Sequence, residues 1–109
     1  RRTGAVRETM DRYRFADVEI DFLAYEATKD GSPLDFTPKE LELMRFFIVN
    51  KGVALSRDRL LDEVWGYETF PCTRTVDNHI LKLRKNIEDD PKNPQYLVTI
   101  HGYGYKFVG

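Results

Sequence analysis

The chain has 109 residues, the length of one domain, and 41% of them are hydrophobic, so it can build a packed core without cross-links. Its one cysteine, Cys72, excludes an internal disulfide and fits a reducing, cytoplasmic setting, and no apolar run has the length of a membrane span or signal peptide. A net charge of −1 excludes a uniformly basic surface, yet residues 15–42 hold two bases and eight acids, whereas residues 73–86 hold Arg74, Lys82, Arg84 and Lys85 against Asp77 alone.

Residues 1–12 are polar and charged, and they read as a linker. The chain opens on Arg1-Arg2 without a methionine, as a fragment of a longer protein would. Val18, Ile20 and Phe22 alternate with Glu19 and Asp21, the period of a half-buried strand. Lys29-Asp30-Gly31-Ser32 is a turn signal, so residues 13–36 predict an antiparallel sheet of three or four strands.

Thr37, Pro38 and Glu40 suit the N-cap, N1 and N3 positions of a capping box, flanked by a Phe36–Leu41 hydrophobic staple. Leu41, Met44, Phe47 and Ile48 form the stripe of that first helix, and Gly52 can supply a left-handed stop. Ser56 can cap a second helix with Leu60, Leu61, Val64 and Trp65 on its apolar side and Gly66 at its end. A loop from Gly66 to Cys72 follows. Val76, Ile80, Leu83 and Ile87 then recur at spacings of four, three and four, which predicts a third helix over residues 73–87. Leu97–Ile100 and Tyr105–Val108 read as strands of a terminal hairpin, with Gly102 and Gly104 available for positive φ in its turn.

With that stripe buried, Arg74, Asn78, Leu81, Lys82 and Lys85 lie on the opposite side of the third helix, with His79 and Arg84 on its flanks. A solvated basic side is the ordinary explanation for such a pattern. Its position after a shorter helix and before a glycine-containing hairpin favours a recognition helix followed by a wing. Asn78 can bond an adenine edge and Leu81 can pack on a thymine methyl.

The segments Leu34–Leu43, Leu55–Leu61, Val64-Trp65-Gly66, Arg74–Ile80, Leu83-Arg84-Lys85 and Gly102–Phe107, in unbroken order, resemble the effector domain of OmpR/PhoB-type response regulators. The resemblance implies an α+β winged helix-turn-helix over residues 13–109: an N-terminal antiparallel sheet, three helices and a C-terminal β-hairpin wing. It implies no enzymatic activity and no cofactor or metal. It implies double-stranded DNA as the partner, bound by head-to-tail dimers on direct repeats, with the third helix in the major groove and the wing at the minor groove. Arg74, Thr75, His79, Lys82 and Arg84 are its implied phosphate or base contacts. Lys85, Thr99, His101 and Tyr103 complete the implied DNA-binding set. Asp77 is expected to orient a neighbouring cation. The loop residues Tyr67, Glu68, Thr69 and Phe70 are implied to face RNA polymerase. An upstream receiver domain, phosphorylated by a sensor histidine kinase, is implied as well.

Leu81, Asn78, Cys72 and His101 depart from the family's usual basic, apolar, capping and arginine residues at those places. Catalysis by Cys72 and His79 is a poor rival reading, because seven helical residues separate them by about 10 Å. Cys72, His79 and His101 lack metal-ligand spacing. A winged helix that binds protein or RNA is the remaining alternative, favoured by the net charge and disfavoured by the basic third helix.

Overall fold

The computed structural model describes residues 11–66 and 72–109. Its first unit is a four-stranded antiparallel meander of β1 (Arg12–Phe15), β2 (Val18–Asp21), β3 (Glu26–Lys29) and β4 (Ser32–Pro33) in sequential order. Alternation sets the sidedness, with Val18 and Ile20 fully buried and Glu19 exposed between them. Lys29 pairs with Ser32 across the two-residue turn Asp30-Gly31, whose φ values are 52° and 82°. Both central residues of a type I′ turn need positive φ, which aspartate tolerates and glycine adopts freely.

Helix α1 (Pro38–Val49) begins with the expected capping box. The Glu40 amide donates to Thr37 Oγ1 at 3.2 Å, and the Thr37 amide donates to Glu40 Oε1 at 2.9 Å. The predicted stripe is buried, and Leu43 joins it. The helix ends on Asn50, whose side-chain amide donates to the Phe46 carbonyl at 2.9 Å. Gly52 has the expected positive φ of 84° two residues later, where its N–H reaches the Phe107 carbonyl at 2.9 Å.

Helix α2 (Arg57–Leu60) runs on into a π-helical turn, Leu61–Trp65. Ser56 Oγ caps it by accepting from the Arg59 amide at 3.0 Å. Gly66, at φ 60°, closes the wide turn by donating to the Leu61 carbonyl at 3.1 Å. Helix α3 (Thr73–Ile87) has the predicted limits, and Val76, Ile80, Leu83 and Ile87 are all fully buried.

The C-terminal hairpin joins β6 (Leu97–Ile100) to β7 (Gly104–Phe107), so β7 starts one residue earlier than predicted. Leu55 and Ser56, the latter expected only as a helix cap, supply a third strand, β5 (Leu55–Ser56), in the order β5-β7-β6. Leu55 pairs with Tyr105 and Ser56 with Gly104. The two turn glycines therefore differ in role. Gly102 takes φ 74°, whereas a Cβ on Gly104 would strike the Leu55 carbonyl oxygen and lie 2.9 Å from Ser56 Cα. Only Gly102 uses its freedom of φ; Gly104 permits a close backbone approach.

The core joins both sheets and all three helices. Phe15 meets Phe107 edge-on at 5.0 Å between centroids and Tyr96 at 5.3 Å, which fixes the N-terminal sheet against the hairpin. Such aromatic pairs add about 0.5–1.5 kcal/mol beyond area burial. Lys29 Nζ, between Asp17 at 2.7 Å and Asp89 at 2.8 Å, ties β3 to the segment that leaves α3. Those carboxylates raise its pKa.

Candidate nucleic-acid interface

Helix α3 carries its polar residues on three sides, and each side does something different. Arg74, Asn78, Leu81, Lys82 and Lys85 point outward and are all exposed. None of the three cations is among the ion pairs of the described residues. Leu81 is 57% exposed, and nothing in the described structure covers it. Packing of Leu81 on Phe70, the alternative to a solvent-facing role, involves a residue outside those described.

The side of α3 turned toward the C-terminal sheet holds Asp77, Arg84 and Glu88, the last being the C-cap residue. At about 100° per residue these fall within about 40° of one another around the axis. Asp77 Oδ1 accepts from Arg57 Nε at 2.8 Å and from the Tyr105 hydroxyl at 2.6 Å. Burial alone would raise the Asp77 pKa, but these two donors outweigh it and hold the carboxyl below the usual range. Burial and the Asp77 carboxylate in turn raise the Tyr105 phenol. The sole acid on α3 is thus turned away from the outward side, toward Arg57 of α2.

Arg84 stands on a flank of α3, as expected, and its side chain is bonded within the domain. It is 9% exposed, with Nε donating to the Leu97 carbonyl at 2.9 Å and Nη2 to Thr99 Oγ1 at 2.8 Å. Burial lowers its pKa, although a guanidinium stays charged at any ordinary pH. The stripe Val76-Ile80-Leu83-Ile87 pulls this flank position inward, where a long cation must find acceptors. Arg84 also lines the groove between α3 and the C-terminal hairpin. Glu88, 3% exposed, accepts from the amides of Gln95, Tyr96 and Leu97 at 2.6, 3.0 and 2.9 Å.

The third side of α3 faces the helical unit. His79 Nδ1 lies 2.9 Å from the Thr75 carbonyl, and its ring meets Trp65 edge-on at 5.0 Å. A carbonyl only accepts, so Nδ1 carries the proton and Nε2 is the acceptor in the neutral ring. Trp65 is buried, as a core residue would be, with Lys39 Nζ 5.7 Å from its ring centroid. Thr75 is half-buried and accompanies His79. Asn86 Nδ2 donates to the Asp35 carbonyl at 3.2 Å.

At the N-terminus of α3, Cys72 stands as N-cap without a side-chain bond that caps the helix. Its exposed thiol is 3.9 Å from Thr75 Oγ1, and the Thr75 amide and hydroxyl, with Arg74, hold it below the usual thiol range. His79 is engaged with Thr75 and Trp65 rather than with this thiol. Among the described residues no group of three His, Cys, Asp or Glu is placed to hold a metal.

The hairpin brings His101, Gly102 and Tyr103, all exposed, to its tip beside α3. Between helix and hairpin runs a groove of about 950 Å³ whose walls include Leu81, Arg84, Lys85, Lys92, Thr99 and His101. Leu81 and Lys85 of α3 and His101 of the hairpin therefore border one open groove, with Lys92 and the acid Asp90 on its walls as well. Tyr67, Glu68, Thr69 and Phe70 lie outside the described residues.

Residues 31–107 match the family described as "Transcriptional regulatory protein, C terminal". The chain belongs to this family. It is an effector domain of the OmpR/PhoB type with a winged-helix fold, from a family of transcription regulators rather than enzymes. It is 38% identical over 99 residues to the DNA-binding response regulator MtrA of Mycolicibacterium smegmatis, covering 91% of this chain and 43% of MtrA. It superimposes on the response regulator DrrB, a Thermotoga maritima OmpR/PhoB homologue, with a TM-score of 0.85 and 37% identity, covering 96% of this chain and 48% of DrrB. The DNA-binding domain of the response regulator AdeR, solved in complex with an intercistronic region, matches with a TM-score of 0.72 and 26% identity over 88% of this chain and 98% of that one. The chain thus spans less than half the length of MtrA and DrrB.

Sequence reasoning left Arg57, Glu88 and Lys92 out of the site. The domain uses the first two to hold α3 against its neighbours and the third to line the groove. For Glu88 a signal existed: Asp77, Arg84 and Glu88 recur at spacings of seven and four, a second stripe beside the apolar one.

Proposed function

We propose that this domain binds double-stranded DNA sequence-specifically as the output domain of a two-component response regulator, with α3 in the major groove and the hairpin wing at the minor groove. The observation that carries the reading is the outward side of α3, where Arg74, Lys82 and Lys85 stand exposed beside Asn78 and Leu81 while Asp77 is bonded to Arg57 and Tyr105. A protein of net charge −1 thereby presents a locally positive surface, and it is local potential that phosphates sense. The shape and names of its relatives, MtrA and the DNA-bound AdeR domain, support the same reading.

In this reading Arg74, Lys82 and Lys85 hold the phosphate backbone, with Thr75, His79 and Thr99 adding polar contacts. Asn78 and Leu81 read base edges, and His101 and Tyr103 enter the minor groove at the wing tip. Arg84 belongs to the interface as a support rather than as a contact. Two domains bind head to tail on direct repeats, RNA polymerase meets the segment Tyr67–Phe70, and a sensor histidine kinase acts through a receiver domain, all in the cytoplasm. Titration of a random-sequence duplex at low and moderate salt tests the first step. Binding that falls steeply with salt is expected, and no binding at low salt would overturn the reading. Selection from a random duplex library should then return a repeated half-site.

A further inference from the structure

One oxygen of Asp77 joins three elements of the domain. Asp77 Oδ1, on α3, accepts from Arg57 Nε of α2 at 2.8 Å and from the Tyr105 hydroxyl of β7 at 2.6 Å. The Tyr105 ring also meets two guanidinium groups, with its centroid 5.7 Å from Arg57 Cζ and 5.5 Å from Arg84 Cζ. Arg57 holds the hairpin a second time, because its backbone N–H donates to the Tyr103 carbonyl at 3.3 Å. The tip of the hairpin, the start of α2 and the first half of α3 are therefore linked in one hydrogen-bonded chain.

The convergence has a local cause. Ser56 pairs with Gly104, whose missing Cβ lets β5 pass close to β7. Arg57, the next residue, thus lies beside the turn of the hairpin. Asp77 is on the inner side of α3, whereas its sequence neighbour Asn78 is on the outer side. The linkage therefore grips α3 directly behind the residues that face outward. Hydrogen bonds keep their strength only within a window of about 0.5 Å, and those to a carboxylate are the stronger kind. A hinge motion of the hairpin against α3 would stretch the Tyr105 bond and, through Arg57, strain the other.

We propose that Asp77 is a positioning residue that, through Arg57 and Tyr105, locks the hairpin to α3, so that the domain engages a major groove and the adjacent minor groove at one fixed spacing. The inference rests on the DNA-binding reading and adds to it that the wing does not adjust independently of the helix. Asp77 acts without touching DNA, which gives a purpose to the sole acid on an otherwise cationic helix.

The experiment maps where the hairpin tip lies on DNA. The whole domain carries Cys72→Ser and Tyr103→Cys, with an iron–EDTA cleaving group on the introduced thiol, and is bound to the tightest duplex recovered from a random library. A locked tip should cut one narrow run of sugars. Asp77→Ala removes both bonds at once and should widen that run about twofold, since each base pair adds only about 3.4 Å along a strand. Asp77→Asn keeps an acceptor oxygen and should keep the narrow run. Tyr105→Phe keeps the ring and loses only the hydroxyl, so it serves should Asp77→Ala fail to fold, and it too should widen the run. A purely stabilising role would lower the amount of complex and leave the width of the cut region unchanged. Equal widths in the parent and in every folded variant, or a broad run in the parent itself, overturn the proposal. If the unlabelled parent binds no duplex, the DNA reading itself fails, which the first titration reveals before any variant is made.

Discussion

Two sides of one helix both carry charged residues and lead opposite lives. On the inner side of α3 and its cap, Asp77, Arg84 and Glu88 each have two or three partners in α2 or in the C-terminal hairpin and the segment that leads into it. On the outer side, Arg74, Lys82 and Lys85 pair with no described carboxylate. Charge on a helix is thus a poor guide to its use until burial is known. A buried charge must be bonded within the fold, and an exposed one is free to meet a partner. The inner side should then act on stability and the outer side on binding.

The largest effect expected is on the inner side. Glu88→Ala leaves three backbone amides without their acceptor, and stability should fall by about 3–5 kcal/mol, read from urea denaturation. A loss below 1 kcal/mol would mean that water replaces the carboxylate easily, and the contrast between the two sides would weaken.

Next in size is a readout from the outer side. Asn78→Ala should reduce discrimination between the preferred base and its alternatives at one half-site position by about 1–3 kcal/mol while leaving thermal stability nearly unchanged. A preserved consensus at every position would remove Asn78 from base reading.

Asp77→Asn should cost about 1–2 kcal/mol at neutral pH, discounted for its partial exposure. The sign with pH follows from its lowered pKa. The folded state binds the Asp77 proton more weakly than the unfolded chain does. The carboxylate's contribution is therefore complete above the unfolded value near 3.9 and is lost as pH falls through the lower folded value. The stability gap between the two proteins should be constant from about pH 5 to 7 and close below about pH 4, as denaturation at several pH values would show.

The parts of this division that were legible in the sequence were the local ones. The Thr37–Glu40 box, the limits of α3, its apolar stripe and the Asp30-Gly31 turn all depend on residues a few positions apart. Strand β5 was not legible, because two residues make a strand only through pairing with β7, some fifty positions away in sequence. The limits of β7 moved by one residue for a related reason: Gly104 pairs with both Ile100 and Ser56, and the second pairing is a tertiary contact. Arg84 was placed on a flank of the helix, and the family resemblance gave it a DNA contact. Its angular position beside Leu83 and Ile87, with Asp77 and Glu88 on the same flank, pointed inward, and exposure alone separates it from Lys82 and Lys85.

The central claim is that the outer cations, and not the inner one, neutralise DNA phosphates. The direct measurement is the salt dependence of duplex binding for Lys82→Ala, Lys85→Ala and Arg84→Lys. The account predicts that each alanine variant lowers the slope of log K against log salt by about 0.9 per lost phosphate contact and unfolds at nearly the parent temperature, whereas Arg84→Lys keeps the slope. Unchanged slopes for both alanine variants, or a slope lowered only when Arg84 is altered, would contradict it.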